Sequence, residues 1–135
     1  MGRDKEGVWR LLDANANRLR EGLRVIEDTA RFVLNRPGAA KAFRALRHEF
    51  DGLIRGHYHP LVSHRDVEQD PGRTNLSKSY RDGVPELVVA NIKRCEEALR
   101  VFEEYGRVLS PRAVSTAQKL RFRVYQWEKR LLPRR

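Results

Sequence analysis

DANANRLREGLRVIEDTARFV, residues 13–33, occurs twice in this chain in recognisable form. A shift of 76 residues lays Ala14 to Val33 on Ala90 to Leu109, ANIKRCEEALRVFEEYGRVL. The pairs Ala14/Ala90, Asn15/Asn91, Arg18/Arg94, Glu21/Glu97, Leu23/Leu99, Arg24/Arg100, Val25/Val101, Glu27/Glu103 and Arg31/Arg107 are identical. Chance would give roughly one such identity over this length, so an internal duplication organises the chain.

On a helical wheel of about 100° per residue, Leu11, Leu12, Leu19, Leu23, Val25, Ile26, Ala30, Phe32 and Val33 fill one broad apolar arc. Asn15 and Arg18 lie inside it. In the second copy Leu87, Val88, Cys95, Leu99, Val101, Phe102, Val108 and Leu109 form the arc, with Asn91 and Arg94 inside. An arginine aimed at a core is costly unless it is paired or meets an anion. Its recurrence at matching positions predicts a binding role.

Outward from the repeat, the chain divides simply. A first helix is predicted over about residues 7–34, ending at Asn35-Arg36-Pro37-Gly38, and a second over 38–55. Residues 56–84 read as a connector rich in Pro and Gly. Pro85 suits the first turn of a third helix, and Ser110-Pro111 opens a fourth with Ser110 as expected N-cap. A shift of 74 aligns Pro37/Pro111, Ala39/Ala113, Leu46/Leu120 and Arg47/Arg121, so the second helices belong to the duplication too. The expected fold is all-α: a four-helix bundle of two helical hairpins, 7–55 and 85–132, joined by a long loop within a single domain spanning 1–135. A connector of that length is expected to be functional and to lie over one end of the bundle.

At 135 residues, 40% hydrophobic and 34% charged, the composition is that of a folded soluble chain. No apolar run approaches a membrane span, and MGRDKEGVW has no secretory h-region. The single cysteine, Cys95, excludes an internal disulfide and reads as packing; a cytoplasmic setting is expected. A formal net charge of +10 calls for an anionic partner. That partner is a nucleic acid, a membrane surface or a phosphorylated small molecule, and placement of the charges must decide among them.

Asn15, Arg18, Arg47, Asn91, Arg94 and Arg121 form an inward polar set suited to phosphate oxygens, because a planar guanidinium pairs with phosphate through charge-assisted bonds. The bland alternative is local pairing with Glu21, Glu27, Glu97 or Glu103. The ladder Glu21, Arg24, Glu27, Arg31 and its copy Glu97, Arg100, Glu103, Arg107 reads as a solvated face, with Arg24 and Arg100 as a second candidate anion site. In the connector, Arg65, Asp66, Glu68, Asp70, Gly72, Arg73 and Lys78 mix carboxylates with cations, and Asp66 and Asp70 could hold Mg²⁺. His57, His59 and His64 cluster without completing a zinc-ligand spacing. No GxxxxGK[ST], GxGxxG or GxSxG signature occurs.

DANANRLREGLRVIED, RDVEQDPG and ANIKRCEEALRVFEEYGR together resemble the small all-helical hydroxymethylpyrimidine-phosphate kinases of thiamine biosynthesis, found alone or fused ahead of thiamine-phosphate synthase. The resemblance covers nearly the whole chain, which is expected to stand alone, with no synthase after Arg135. It implies transfer of the γ-phosphoryl of ATP to hydroxymethylpyrimidine monophosphate, with ATP and Mg²⁺ required. The positions that match are Asn15, Arg18, Glu21, Arg24, Arg65, Asp66, Asp70, Gly72, Asn91, Arg94, Glu97 and Arg100, with departures at Val67 and Gln69. On this expectation the arginines bind phosphates, while Asp66 and Asp70 hold Mg²⁺ or orient the substrate and are the candidate catalytic pair. Two alternatives stay open. One is a nucleic-acid module using Arg121, Arg123, Lys129, Arg130, Arg134 and Arg135; the other is a non-catalytic domain that docks on thiamine-phosphate synthase. Homo-oligomerisation is left open.

Overall fold

The structure, a computed structural model, describes residues 2–74 and 80–132. Its α-helices are α1 Gly2–Asp28, α2 Pro37–Ile54, α3 Tyr58–Ser63, α4 Val84–Leu109 and α5 Pro111–Leu131. The four long ones make an all-α bundle of two hairpins, α1/α2 and α4/α5, as the repeat predicts. A π-helical turn, Thr29–Val33, extends α1. The chain then leaves the helix with Arg36 N–H donating to the Ala30 carbonyl at 2.8 Å, while Asn35 takes a left-handed φ of 52°. Asn tolerates that conformation better than most residues, which suits it to a helix exit.

The corners explain why the repeat offset drops from 76 to 74. Leu34, Asn35 and Arg36 separate the first pair of helices, whereas Ser110 alone separates the second. Ser110 sits at the N-cap with φ −162° and ψ 115°, yet its side chain makes no capping bond, contrary to expectation. Two further differences concern the ends. α1 begins at Gly2 rather than near residue 7, and the connector contains α3, whose Pro60 falls in the first turn where a missing N–H costs nothing.

Leu19, Leu23 and Ile26 from α1, Phe43, Leu46 and Phe50 from α2, Ile92 and Leu99 from α4 and Leu120 and Val124 from α5 are buried together, joined by Phe102. Phe50 meets Phe102 edge-on with centroids 5.1 Å apart. Each such side chain is worth about 1.5–3 kcal/mol when removed from water, which holds the hairpins together. The predicted arc was too broad, however: Val25, Phe32, Val33 and Val108 are 38%, 66%, 57% and 70% exposed. Only the sector of each helix that faces two neighbours is apolar for packing reasons.

Two contacts locate the symmetry relating the halves. Cys95 Sγ lies 3.9 Å from the Leu19 carbonyl oxygen, and these residues are 76 apart. Arg123 pairs with Glu49, and these are 74 apart. Each residue therefore touches its own repeat equivalent, which happens only beside a twofold axis. The axis runs through the α1/α4 crossing and out between α2 and α5. Gly22 lies against both Cys95 and Asn91, so α1 and α4 cross antiparallel, rising in one number as they fall in the other. A Cβ on Gly22 would stand 2.8 Å from Cys95 Sγ, which is why that position of close approach carries none.

Candidate functional site

The inward arginines are resolved first by their partners. Arg47 donates to Glu27 Oε1 at 3.0 Å and 3.3 Å through Nη2 and Nε. Arg121 grips Glu103 with Nη2 at 2.9 Å and with Nε, and donates through Nη1 to the Tyr125 hydroxyl at 2.8 Å. Both carboxylates are buried. The Glu103 carboxylate raises the Arg121 pKa well above its ordinary value. The two pairs are repeat equivalents, so the duplication built a buried ion pair into each hairpin. Arg47 and Arg121 are structural, and the expected enclosed cradle of four guanidiniums is not formed.

Arg18 and Arg94 are exposed. Glu27 lies two and a half turns beyond Arg18 and faces α2, so Arg18 points the opposite way, onto the open side of α1. The twofold carries that side of α1 onto the same side of α4. Arg18 and Arg94 therefore share one face of the α1/α4 pair, flanking its seam. Asn15 and Asn91 sit nearer the seam and repeat one another's geometry, each Nδ2 donating to the carbonyl four residues back, Leu11 at 2.9 Å and Leu87 at 2.8 Å. Glu21 and Glu97 lie further out and are exposed. Among the described residues none of Arg18, Arg94, Glu21 and Glu97 has an ion-pair partner.

The distribution of the repeat identities adds weight to this face. Ala14/Ala90, Asn15/Asn91, Arg18/Arg94, Glu21/Glu97 and Val25/Val101 all belong to its sector. Of the buried positions, Leu23/Leu99 and Glu27/Glu103 are identical as well, whereas Leu19 became Cys95, Gly22 became Ala98 and Ile26 became Phe102. The open face was thus retained alongside only part of the core.

The other predicted residues fall elsewhere. Arg24 pairs with Asp28 at 3.3 Å and Arg100 with Glu104 at 2.9 Å, both on the solvent side. The expected surface ladder is split, since Glu27 and Glu103 turn inward. Arg65 binds Asp13 through two bonds of 2.7 Å, fastening the connector to α1. The buried Asp13 was not anticipated, since on the wheel it falls outside the apolar arc. Asp66 Oδ1 accepts the Gln69 amide at 3.0 Å, and Asp70 Oδ1 accepts the Gly72 amide at 2.8 Å. These are turn-forming roles. No group of three or more metal-ligating side chains occurs among the described residues. Lys78 lies outside the described residues.

His57 and His64 flank Trp9, with ring centroids 5.9 Å and 6.2 Å away, and His64 Nδ1 lies 2.6 Å from the Pro60 carbonyl; the histidines pack α3 onto α1. Burial pushes the Cys95 thiol up to about 12, which makes it a packing residue and not a nucleophile. Of the cations proposed for nucleic acid, Arg121 and Arg123 are engaged by Glu103 and Glu49, Lys129 and Arg130 are exposed, and Arg134 and Arg135 lie outside the described residues. No described helix is long and apolar enough to cross a membrane.

The sequence profile described as the ThiD2 family matches residues 10–130, from before the first repeat to the end of α5. The chain belongs to the ThiD2 family. Its relatives include proteins named thiamine-phosphate synthase. That of Nostoc sp. is 42% identical over 128 residues, which is 93% of this chain and 35% of the relative. That of Synechocystis sp. is 42% identical over 127 residues, covering 93% and 36%. The one from Rhodopirellula baltica is 33% identical over 121 residues, covering 87% and 32%. The chain thus spans about a third of the length of the curated relatives it matches, and no solved structure matches it. The expectation that the chain is itself a hydroxymethylpyrimidine-phosphate kinase is corrected by these matches. They carry the name of a synthase, a transferase of another kind.

Proposed function

We propose that this chain is a helical domain of thiamine biosynthesis that docks on a thiamine-phosphate synthase and holds a phosphorylated ligand on its α1/α4 face. The observation that carries the reading is the match to a third of such synthases at about two-fifths identity. In those relatives the matched segment is covalently part of a protein named thiamine-phosphate synthase, which supports association with that enzyme. The face supports the second half of the reading. The two guanidiniums that flank the seam, Arg18 and Arg94, are exposed and have no ion-pair partner among the described residues, and a phosphate group satisfies donors of this kind.

Sedimentation of the chain mixed with a thiamine-phosphate synthase that lacks a matching helical segment tests the docking. A joint boundary at micromolar concentrations is expected. Two boundaries that sediment independently would end the reading.

A further inference from the structure

A cleft of about 710 Å³ opens at one end of the bundle, between the C-terminal part of α2 and the corner joining α4 to α5. Leu53, His57, Gly106 and Ala113 are among its lining residues. The duplication assigns each a partner in the other half: Trp127, Leu131, Ala30 and Ala39. Those four pack together, with Trp127 and Leu131 laid over buried Ala30, Ala39 and Ala40 and the indole 6.2 Å from the Phe43 ring. The equivalent of Phe43 is Ala117. One half of the molecule therefore fills this place with its own indole and leucine, one helical turn apart on α5. The other half puts leucine where the indole would be and alanine where the phenylalanine would be, and the place stands open.

We infer that the open cleft receives an amphipathic helix of the thiamine-phosphate synthase partner, presenting an aromatic and an aliphatic side chain one turn apart with acidic residues beside them. This rests on the docking reading above and says where the docking occurs. The filled twin shows the shape of occupant, because an i, i+4 aromatic and aliphatic pair already satisfies the same walls. Charge supplies the acidic component. Lys5 and Arg112 line the cleft, are exposed and have no ion-pair partner among the described residues, whereas the one carboxylate there, Glu49, is held by Arg123. A helix laid in a groove with a buried aromatic anchor is a recurrent way for proteins to bind.

Two variants test the assignment in the full chain against the same synthase. Leu53→Trp supplies the missing indole from within, as Trp127 does in the twin, and should weaken synthase binding at least tenfold while the helical circular dichroism is kept. Lys5→Glu combined with Arg112→Glu leaves the packing alone and should weaken it comparably. Wild-type binding that persists within twofold in both variants overturns the inference and leaves docking to another face. Uptake of the probe indole-3-acetate, read by isothermal titration calorimetry, with synthase binding unchanged in both variants, overturns it by marking a small-molecule pocket. Absence of wild-type binding overturns the docking reading and this inference together.

Discussion

Arg18 and Arg121 carry the same charge on related helices and do opposite things, because one has a buried carboxylate within reach and the other has water. Truncating one partner of a buried pair strands the other, at about 3–5 kcal/mol. Arg121→Ala is therefore expected to lower stability by roughly that amount in chemical denaturation. Arg18→Ala should stay within about 0.5 kcal/mol, as exposed substitutions do. Equal losses would contradict the separation of structural from ligand-facing arginines. Glu96 is another residue set by its surroundings. Its Oε2 is buried without a hydrogen-bond partner, Lys93 Nζ reaches its Oε1 at 3.3 Å, and Glu128 shares the same lysine at 3.0 Å. Burial first, then the Glu128 carboxylate, push Glu96 up to about 7 against the attraction of Lys93. A carboxyl raised in the folded state binds more protons folded than unfolded between its two pKa values, so stability falls as pH rises from about 4.5 to about 7. Glu96→Gln should flatten that slope in melts recorded across the interval. An unchanged slope would refute the assignment to Glu96.

At the scale of helices, the α1/α4 crossing is where a small change should be felt most. Gly22→Ala drives a methyl to within 2.8 Å of Cys95 Sγ and 3.4 Å of the Asn91 carbonyl oxygen. Overpacking of this sort costs about 1–3 kcal/mol. Adding Cys95→Ala removes the sulfur and should recover part of the loss, a non-additivity that a double-mutant cycle reads directly. The helices themselves, their order, the hairpin pairing and the long connector were legible in the sequence, because apolar periodicity and Pro and Gly placement report local structure. The direction of Arg18 was not. A single wheel shows which sector is apolar but not how many neighbours share it, and α1 is covered on two sides only. Arg47 and Arg121 were on the correct side of their helices, yet their pairing depends on Glu27 and Glu103 rotating inward from what reads as a surface ladder. The roles of Asp66 and Asp70 turned on turn geometry that composition does not contain.

For the whole molecule, duplication is the organising fact. It gives a twofold that passes between Leu19 and Cys95 and between Glu49 and Arg123. It also sets two kinds of site against each other. On the open α1/α4 face the halves agree, repeating Asn, Arg and Glu on both sides of the seam. At the bundle end they differ, one half plugging with Trp127 the place that the other leaves vacant. The proposed anion face and the proposed partner cleft both rest on that contrast. The most direct test of the face is calorimetric titration of inorganic diphosphate, whose two equal phosphate groups match the two equal halves of the seam, into the wild type, Arg18→Ala and Arg94→Ala. Each single variant should lose about tenfold or more in affinity, and to a similar extent, since each removes one of two related charge-assisted contacts. Affinity unchanged in both variants would contradict the account.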